Sequence, residues 1–560
     1  MANGITTLGN RTFLFGGSSG IDTSALIEAA YNQRKAEADK IDIKVTENTA
    51  RMSALSSLQD LGSAVQTALS GLKKNYSVLS SDSSFDARAG TLSSSSSTSP
   101  TSLLTVAIEP GTPLGSYEIE VTQKAQAHRV GGNSTTTDKD LDLGFAGTFD
   151  IGVTGGTTAP ISITADMSLS EIAAAINLET ATTGVTASVL KTSESGYQLI
   201  LSGVDTNKQI EVTNVTGDDV LLNLGVTDGV GGFPNVLQVA QGAEIVLDNI
   251  TITRDDNDFS DLIDGISLNV LNAEPGTLIQ LQVTHDTSAI KDDILDFVDA
   301  YNELREFIVS QQQVSDGEVA EEAILFGDTL LKSMTTTLQG LISTSYGAGG
   351  GALETFPEIG ISVGSDGILT VDENVLDDAL LNKFDEVRSI FEATNTVDNN
   401  EFRIVANTST TQNFTFAMDI TYSGGAITNV SVGGDNTLFD ITGTLIKGKA
   451  GTVYEGLSFA YVGTTNATVN IDISQGFADM FTNAMEGYTS VTTGIIQTEK
   501  LSLEDQNNNL EARSERVIER AEDFRDRLIE KYAKFEAQVS AAQTILAQIQ
   551  AILNINNKDN

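Results

Sequence analysis

The stretch LEDQNNNLEARSERVIERAEDFRDRLIEKYAKFEAQVSAAQTILAQIQAIL, Leu503 to Leu553, decides the fold of this chain. Apolar residues recur in it every seven positions, and neither Gly nor Pro interrupts it. A continuous helix over this stretch would be about 75 Å long, at ~1.5 Å per residue. Because such an apolar stripe is unstable in water alone, the pattern predicts a long helix that packs against a partner.

A second heptad pattern lies near the other end of the chain. It runs from Ile41 to Leu55 and, after a break in phase, resumes at Leu58 and continues to Leu79. Asn48 and Gly62 interrupt its apolar seam. We expect the two terminal helices to pair as a coiled-coil-like stalk, with each other or with neighbouring subunits. A helical bundle inside one globular domain is the alternative.

The start of the first helix has its own signals. Asp22 is a good N-cap residue, and Ile21 and Leu26 stand where a hydrophobic staple would close. The residues before them, MANGITTLGNRTFLF, lack the basic region and continuous apolar run of a secretory signal. We therefore expect that, if the protein is exported, it leaves the cell by a route that cleaves no such signal.

Composition excludes several classes of protein. The 560 residues suffice for several domains, and the absence of Cys excludes disulfides, zinc–thiolate sites and thiol nucleophiles. The net charge is −44, and residues 131–290 hold 22 acidic residues against four basic ones. Such a surface repels phosphate, so nucleic acid is excluded as a partner. No run of about 18 apolar residues occurs, so we expect no membrane insertion.

Between the terminal helices the chain alternates between helical and β-rich textures. IGISVGSDGILTVD (359–372) predicts a hairpin, and a helix is expected from about residue 373 to residue 391. Ser168 and Glu171 form a capping box before a short helix, and two strands with a turn at residues 194–196 complete a helix–hairpin unit. The fold class is therefore α+β and multidomain, with β-rich head domains inserted between the helices. We assign a segment that stays flexible until it docks (1–40), an N-terminal stalk helix (41–80), β-rich heads (81–286, including the motif 167–203), a helical core (287–395), a β-rich insertion (396–474) and C-terminal stalk helices (475–560).

No group of residues has the pattern of a catalytic or cofactor site. His128 and His285 have no helix-spaced partner, and the glycines of Tyr346–Ala352 lack the strand that a dinucleotide fingerprint needs. The acidic runs 138–142 and 255–258 depart from a calcium loop or lie in a turn, so solvated turns are the favoured interpretation and a weak metal site the alternative. We expect no catalytic residue, metal or cofactor.

Several local patterns together resemble the flagellar hook-associated protein 2 family, the caps of bacterial flagellar filaments. SSGIDTSALIEA (18–29) is similar to the family's N-terminal signature, and GSYEIEVTQKAQAHRV (115–130) to one of its strands, with Lys124 in place of an apolar residue. The strongest match is EIVLDNITITRDDNDFSDLIDGISLNVLNAEPGT (244–277) followed by IKDDILDFVDAYNELREFI (290–308), where Asn249 replaces a glycine. FGDTLLKSM, IGISVGSDGILTVDENVLDDAL and VRSIF continue it.

The resemblance covers most of the chain and implies a non-enzymatic assembly factor. Several copies would form a ring-shaped plate from the β domains, with legs of paired terminal helices on the filament end. Its implied partners are flagellin, further copies of itself, and a flagellar export chaperone and export apparatus. It would be secreted through the flagellar export channel and remain extracellular at the distal tip. The insertion 396–474 and the helix end AAQTILAQIQAIL depart from the family pattern.

We select ten seam residues whose first role is packing the stalk: Leu55, Leu58, Val65, Leu69, Leu72, Phe524, Leu528, Phe535, Val539 and Leu546. Three other functions stay open at this point. The chain could be another axial component, such as a hook–filament junction protein or a flagellin variant. It could be a tip adhesin that binds surface or host glycans. An enzyme that uses His128 or His285 is the third alternative.

Overall fold

A computed structural model describes residues 4–8, 11–15, 20–74, 76, 83–194, 196–315, 317–347, 353–409 and 413–556. The chain divides into two compact units. Unit 1 comprises 1–76 and 291–560, and unit 2 comprises 77–290. The α+β multidomain class predicted from the sequence is confirmed by this mixture of long helices and several sheets.

Unit 1 is built on helices. Its two longest, α1 and α10, come from the two ends of the chain and pack antiparallel: Ile27 lies with Ile529, Ala38 with Val517, and Arg51 with Glu499. The helices of the chain that lie wholly or mostly in this unit are α1 (Thr23–Ala68), α5 (Thr287–Ser310), α6 (Thr329–Ser343), α7 (Glu373–Asn382), α8 (Phe384–Phe391), α9 (Phe477–Thr489) and α10 (Ile495–Asn556).

The first helix begins earlier and ends earlier than the boundaries 41–80. Asp22 accepts a hydrogen bond from the backbone N–H of Ala25 (3.0 Å), and α1 starts directly after it. Residues 23–40, expected to stay flexible until docking, are therefore helical, because the cap and the α10 partner stabilise them. The helix gives way to a 3₁₀ turn, Leu69–Leu72, and the chain is extended at Lys73. Residues 77–80 of the predicted helix lie outside the described part.

Unit 1 also carries short strands outside its main insertion. These form three antiparallel hairpins, β1 (Gly4–Leu8) with β2 (Arg11–Phe15), β18 (Val314–Ser315) with β19 (Glu318–Val319), and β20 (Ile361–Val363) with β21 (Leu369–Val371). The last confirms the hairpin predicted for 359–372. The helix expected over 373–391 is instead two helices, because Lys383 leaves the helical region (φ −140°, ψ 42°).

The insertion is an antiparallel β-sandwich. One sheet has the order β22-β29-β24-β25 and the other β23-β28-β27-β26. Their inner faces enclose a core rich in aromatic residues, with Phe402 and Phe459 fully buried. The strands are β22 (Thr394–Val397), β23 (Phe402–Asn407), β24 (Asn413–Ser423), β25 (Ala426–Val432), β26 (Phe439–Thr442), β27 (Leu445–Gly448), β28 (Leu457–Tyr461) and β29 (Ala467–Ser474).

Unit 2 holds two separate hydrophobic cores. The first lies between the sheets β14-β13-β5-β17-β3 and β15-β16-β4. Its strands are β3 (Arg88–Ser94), β4 (Leu104–Ile108), β5 (Gly115–Gln123), β13 (Ala243–Leu247), β14 (Ile250–Arg254), β15 (Asp258–Ile263), β16 (Ile266–Val270) and β17 (Leu278–His285). The turn before β14 places Asn249 at φ 66°, a conformation that Asn tolerates better than most side chains, so it can replace the glycine of the family pattern.

The second core of unit 2 combines two sheets with short helices. The sheets are β12-β6-β10-β9 and β11-β7-β8. The elements are β6 (Ala127–Gly131), β7 (Gly147–Val153), β8 (Ala159–Ile163), α2 (Leu169–Leu178), α3 (Thr180–Thr183), β9 (Val185–Ser193), β10 (Gly196–Thr206), β11 (Ile210–Gly217), α4 (Val220–Asn223) and β12 (Val236–Gln238). The predicted capping box of Ser168 and Glu171 is confirmed, and so is the helix–hairpin that follows it.

Residues 348–352 of the glycine-rich connector, residue 195 of the predicted turn and residues 16–19 before α1 lie outside the described part. Among the residues that the structure describes, none of the helices is both long enough and apolar enough to cross a membrane.

Candidate functional site

We call the end of the helix pair where α1 ends and α10 begins its base. The base is the most deeply packed part of the pair. Leu55, Leu58, Val65, Leu69 and Leu72, predicted as seam residues, are all fully buried. Burial of one such side chain contributes roughly 1.5–3 kcal/mol. The structure thus buries all five N-terminal candidates.

Gly62, which interrupts the predicted seam, marks a close approach between helices. A Cβ at this position would lie 2.7 Å from Thr489 Cγ2 and 2.9 Å from Met485 Cε, both on α9. Both distances are shorter than real carbon contacts, so a larger residue would push α1 and α9 apart. The apparent defect in the heptad pattern is therefore a packing requirement.

Polar contacts fix the register of the helices at the base. Arg51 Nη2 donates to Asp328 Oδ2 (2.7 Å) and to Glu499 Oε1 (2.6 Å), and so ties α1 to α10 and to the start of α6. Gln59 Nε2 donates to the carbonyl of Thr489 (2.8 Å), and Lys500 Nζ donates to Gln59 Oε1 (3.1 Å). Because Asp328 and Gln59 are almost fully buried, these groups resist any sliding of one helix along the other.

Farther along the pair, an amide pair crosses the seam. Asn48 Nδ2 donates to Asn507 Oδ1 (2.9 Å), and Asn507 Nδ2 donates to Thr49 Oγ1 (3.3 Å). About two turns on, Ser514 Oγ donates to Asp42 Oδ1 (2.7 Å). Buried amides paired across a helix seam are a known means of fixing register at some cost in stability. Asn48, noted from the sequence as a defect, is thus half of a registering contact.

We call the opposite end of the pair, where α1 begins and α10 ends, its distal end. Toward this end the line of buried residues on α10 shifts by one position. Ala521 and Ile529 are both buried but lie eight residues apart rather than seven, and Glu536 is the next buried position. Phe524 and Leu528 are consequently half-buried beside the seam. A one-residue shift of this kind locally changes the winding of paired helices. Ile27 of α1 packs against Ile529, Leu528, Tyr532 and Ala533.

Cation–ring contacts border this part of the pair. The guanidinium of Arg34 lies 3.8 Å from the ring centroid of Phe524, and that of Arg525 lies 5.0 Å from the ring of Tyr31. Arg side chains cover apolar surface with their stems and attract aromatic faces. The two arginines therefore cover rings that are only half-buried at the seam.

The last turns of α10 expose their apolar side chains. Phe535 is 41% exposed and Leu546 57%, while Val539 is half-buried. The neighbouring exposed residues are Ile545, Ile549, Ile552 and Leu553. The three distal candidates are therefore not gathered into a core within one chain. A run of exposed large apolar side chains marks a surface that is covered by another molecule.

A buried polar cluster lies where the insertion joins the helices. Asp479 in the first turn of α9 accepts hydrogen bonds through Oδ2 from the backbone N–H groups of Ala393 (2.9 Å) and Lys74 (3.3 Å). Burial, assisted by the nearby Glu392, raises the pKa of Asp479 to about 7 against the opposing effects of the two hydrogen bonds and of Lys73. One carboxylate thus links the start of the insertion to the segment that follows α1. We call this junction the root of the insertion.

Amides and a phenol extend this cluster. Asn407, the last residue of β23, and Gln475, directly after β29, exchange side-chain hydrogen bonds of 2.7 and 2.9 Å. Tyr76 Oη accepts from Asn407 Nδ2 (3.2 Å) and, at 3.5 Å, from Asn395 Nδ2. Burial raises the pKa of Tyr76 to about 12, so the phenol stays neutral.

The candidates for other chemistry have structural partners. His128 is buried and its Nδ1 accepts from the backbone N–H of Ile210 (2.9 Å), and burial lowers its pKa. His285 Nδ1 lies 3.4 Å from Arg88 Nη1. Within the described ranges no group of three or more His, Asp or Glu side chains could hold a metal ion.

Sequence reasoning missed two parts of this site. The shift of the seam to Ile529 and Glu536 could not be read from heptads, although the adjacent pair Leu528-Ile529 is a signal that the stripe widens there. The cluster at Asp479 joins residues that are distant in sequence and has no local signal. Asn507 could have been predicted as a seam residue, because it lies between Leu503 and Leu510 at the spacing of a heptad seam.

Comparisons with known proteins agree with this architecture. A family described as "Flagellar hook-associated protein 2 C-terminus" matches residues 240–544, and one described as "Flagellar hook-associated protein 2 N-terminus" matches 19–128. A "Flagellin hook IN motif" matches 148–205, which includes the helix–hairpin unit.

Individual relatives show the same likeness. Flagellar hook-associated protein 2 of Escherichia coli K12 is 30% identical over 382 residues, which cover 65% of this chain and 77% of that protein. The B-type flagellar hook-associated protein 2 of Pseudomonas aeruginosa is 29% identical, with 61% and 72% covered. A crystal structure of the D1-D2-D3 domains of the flagellar cap protein FliD from Escherichia coli, 27% identical, covers 60% of this chain and 90% of its own, with a TM-score of 0.45.

The matches run along the chain in the order that the sequence motifs indicated. The first begins just before Asp22, which caps α1, and the last ends within α10, so together they include all of α1 and most of α10. The family matched over 240–544 alone accounts for more than half of the 560 residues. The chain belongs to the flagellar hook-associated protein 2 family.

Proposed function

We propose that this chain caps the distal end of the bacterial flagellar filament as a non-enzymatic oligomeric assembly factor. Copies form a ring from their β-rich parts, and the α1/α10 pairs reach onto the filament end. Flagellin that arrives unfolded through the central channel folds beneath the ring and is inserted between the helical legs. The protein itself is exported through the same channel with a flagellar export chaperone and stays outside the cell at the tip.

One observation carries the proposal: the two ends of the helix pair differ in how much apolar surface they bury. At the base, Leu58 and Leu69 are fully enclosed, so the pair is anchored in a folded body. At the distal end, Leu546 and Leu553 are more than half exposed. A helix that is anchored at one end and apolar at the other is suited to dock on other helices, whose burial would supply the missing stability.

The test is to delete the gene in its source organism and assay flagellin in the culture supernatant. We expect monomeric flagellin in the medium and short or missing filaments, both reversed by the parent gene. Normal filaments without leakage would contradict the proposal and favour an adhesin or a minor structural subunit.

A matched pair of variants sharpens this test. Leu528→Glu places a charge at the distal seam, whereas Leu501→Glu changes an exposed residue of α10 outside it. We expect Leu528→Glu to be exported and soluble but to leave filaments uncapped, because a charge is costly in a surface that must be buried. Leu501→Glu should restore normal filaments. Normal filaments with Leu528→Glu would argue against docking through this seam.

A further inference from the structure

The two outer faces of the inserted β-sandwich carry opposite charges. We call the outer side of β22-β29-β24 the acidic face; it presents Asp398, Asp419 and Asp472, all exposed. Ala417 is the Cα partner of Asn470, and Thr415 is the partner of Asp472, so small side chains separate the carboxylates. An open depression of about 370 Å³ lies among Thr396, Asp398, Thr415, Ala417, Asn470 and Asp472.

Hydrogen bonds hold these carboxylates in place without neutralising them. Asp398 accepts from the backbone N–H (2.8 Å) and the side-chain Nδ2 (2.6 Å) of Asn470, which lowers its pKa. Asp472 accepts from Thr415 Oγ1 (3.2 Å) and Asp419 from Thr468 Oγ1 (2.7 Å). Among the described residues none of the three forms an ion pair. The face is therefore negatively charged and pre-organised.

The opposite side of the sandwich presents two of the three basic residues of the insertion. We call the outer side of β23-β28-β27 the basic face. Arg403 on β23 is the Cα partner of Ala460, and Lys447 on β27 is the partner of Ser458. The two charged side chains therefore lie on either side of β28 and are separated by its small side chains. Both are exposed, and in the part of the chain that the structure describes neither forms an ion pair, not even Lys447 with its cross-strand neighbour Asp440.

The placement of these charges is uneven for a chain with a net charge of −44. Residues 394–474 contain three basic residues, Arg403, Lys447 and Lys449, against seven acidic ones. Two of the three share one sheet face with a single acidic residue, Asp440, and three of the acidic residues share the other. The two faces lie on opposite sides of a sandwich whose sheets are about 10 Å apart, so they cannot meet within one chain. A complementary partner for either face therefore belongs to a different molecule.

We propose that the basic face of one copy docks on the acidic face of a second copy, with Arg403 entering the depression between Asp398 and Asp472. A guanidinium binds paired carboxylates strongly, and its stem can cover Ala417. Because the contact joins two different faces, it repeats from copy to copy in one direction and can follow a ring. The inference rests on the proposed ring for its closure, and it assigns the insertion a role in holding neighbouring subunits together.

The absence of Cys from the chain allows a direct test on the full protein. The variant Ala417→Cys/Ser458→Cys places one thiol on each face and keeps every charge. A disulfide requires Cα atoms within about 7 Å, so oxidation can link these positions only between molecules. The control is Ala417→Cys/Ala426→Cys, whose second thiol lies at the exposed start of β25, away from the basic face.

We expect the oxidised test variant to form covalent dimers and larger species in a yield about tenfold above that of the control, because docking raises the local thiol concentration. Adding Arg403→Glu and Lys447→Glu should lower the yield to the control level. So should about 0.5 M NaCl, which screens exposed charge pairs. Reversing the acidic face as well, with Asp398→Lys and Asp472→Lys, should restore the yield.

Sedimentation of the same samples separates this inference from the proposed ring. If the full chain forms oligomers but the test pair links no better than the control, the insertion contact is overturned and the ring stands. If the chain stays monomeric and unlinked, both fail. Linking that survives charge reversal would overturn the electrostatic basis of the contact.

Discussion

The base and the distal end of the α1/α10 pair follow the same heptad rule but reach opposite outcomes. At the base, α1 is surrounded by α9 and α10, and its seam residues such as Leu58 are fully buried. At the distal end α10 has few neighbours, and residues such as Leu546 remain exposed. A seven-residue repeat therefore indicates that a partner exists, and it does not say whether that partner is in the same chain.

Polar groups differ between the regions in the same way. The base uses buried polar contacts, including Arg51 with Asp328 and the carboxylate of Asp479, to fix one arrangement of helices. The distal end relies on exposed contacts such as Arg34 over the ring of Phe524. Buried contacts specify a unique packing, whereas exposed ones contribute little stability and yield easily to a new partner.

The largest effect on stability should come from removing a buried side chain at the base. Leu58→Ala removes a fully buried side chain and should lower the free energy of unfolding of the helical unit by about 2–5 kcal/mol. The matched change Leu546→Ala should alter it by less than about 0.5 kcal/mol, because the side chain is exposed. Urea unfolding followed by circular dichroism at a helical wavelength measures both. Equal effects would erase the distinction between the two regions.

A smaller effect should come from Asp479, and it should depend on pH. The folded-state pKa is raised from 3.8 to about 7, so this group contributes stability that is present below pH ~4 and is lost as the pH rises through 7. Asp479→Asn keeps an oxygen that accepts from Ala393 and Lys74 and removes the buried charge. The variant should match the parent near pH 4 and be more stable at pH 8, by up to about 4 kcal/mol.

Hydrogen exchange of peptides that span 390–395 and 477–489 reports on this root directly. The variant should show slower exchange than the parent at pH 8 after correction for intrinsic rates. Leu546→Ala serves as the control, since the distal end has no part in this cluster. If the parent is equally protected at both pH values, the carboxylate is not buried as a charge in the way its surroundings indicate.

The smallest effect belongs to the middle of the pair. Asn507→Ala leaves Asn48 without its amide partner and should cost about 1–2 kcal/mol. Replacing both Asn48 and Asn507 by Leu should restore or raise stability and loosen register, because apolar pairs accept several alignments. Cysteine cross-linking between α1 and α10 positions one turn apart measures register. A single cross-linking register in the double variant would show that the contacts of Arg51 fix the alignment by themselves.

Local patterns predicted local structure well. The heptads between Leu503 and Leu553 predicted one helix, and α10 includes all of it. The capping box at Ser168 and the hairpin 359–372 were also found, because each is decided by residues close together in the chain. The start of α1 at Thr23 was signalled by Asp22, but its continuity depended on packing against α10, which sequence spacing could not supply.

The interaction surfaces were less predictable. Two faces of a β-sandwich acquire opposite charges only when strands from distant segments are set in register, as Arg403 is with Ala460. The cluster around Asp479 likewise joins α9 to segments more than eighty residues away. Neither has a sequence period. Only the three-dimensional arrangement shows these groups as sites.

The two ends of the insertion are neighbours, since Thr394 and Ser474 are Cα partners in the β22–β29 ladder. A segment that leaves and rejoins its host at one point can be lengthened, exchanged or removed without moving the helices on either side. The helical scaffold is therefore modular at this position, and evolution could graft different domains there while conserving the helices around them. The same junction gives protein engineers an insertion site for a foreign domain whose own termini lie close together.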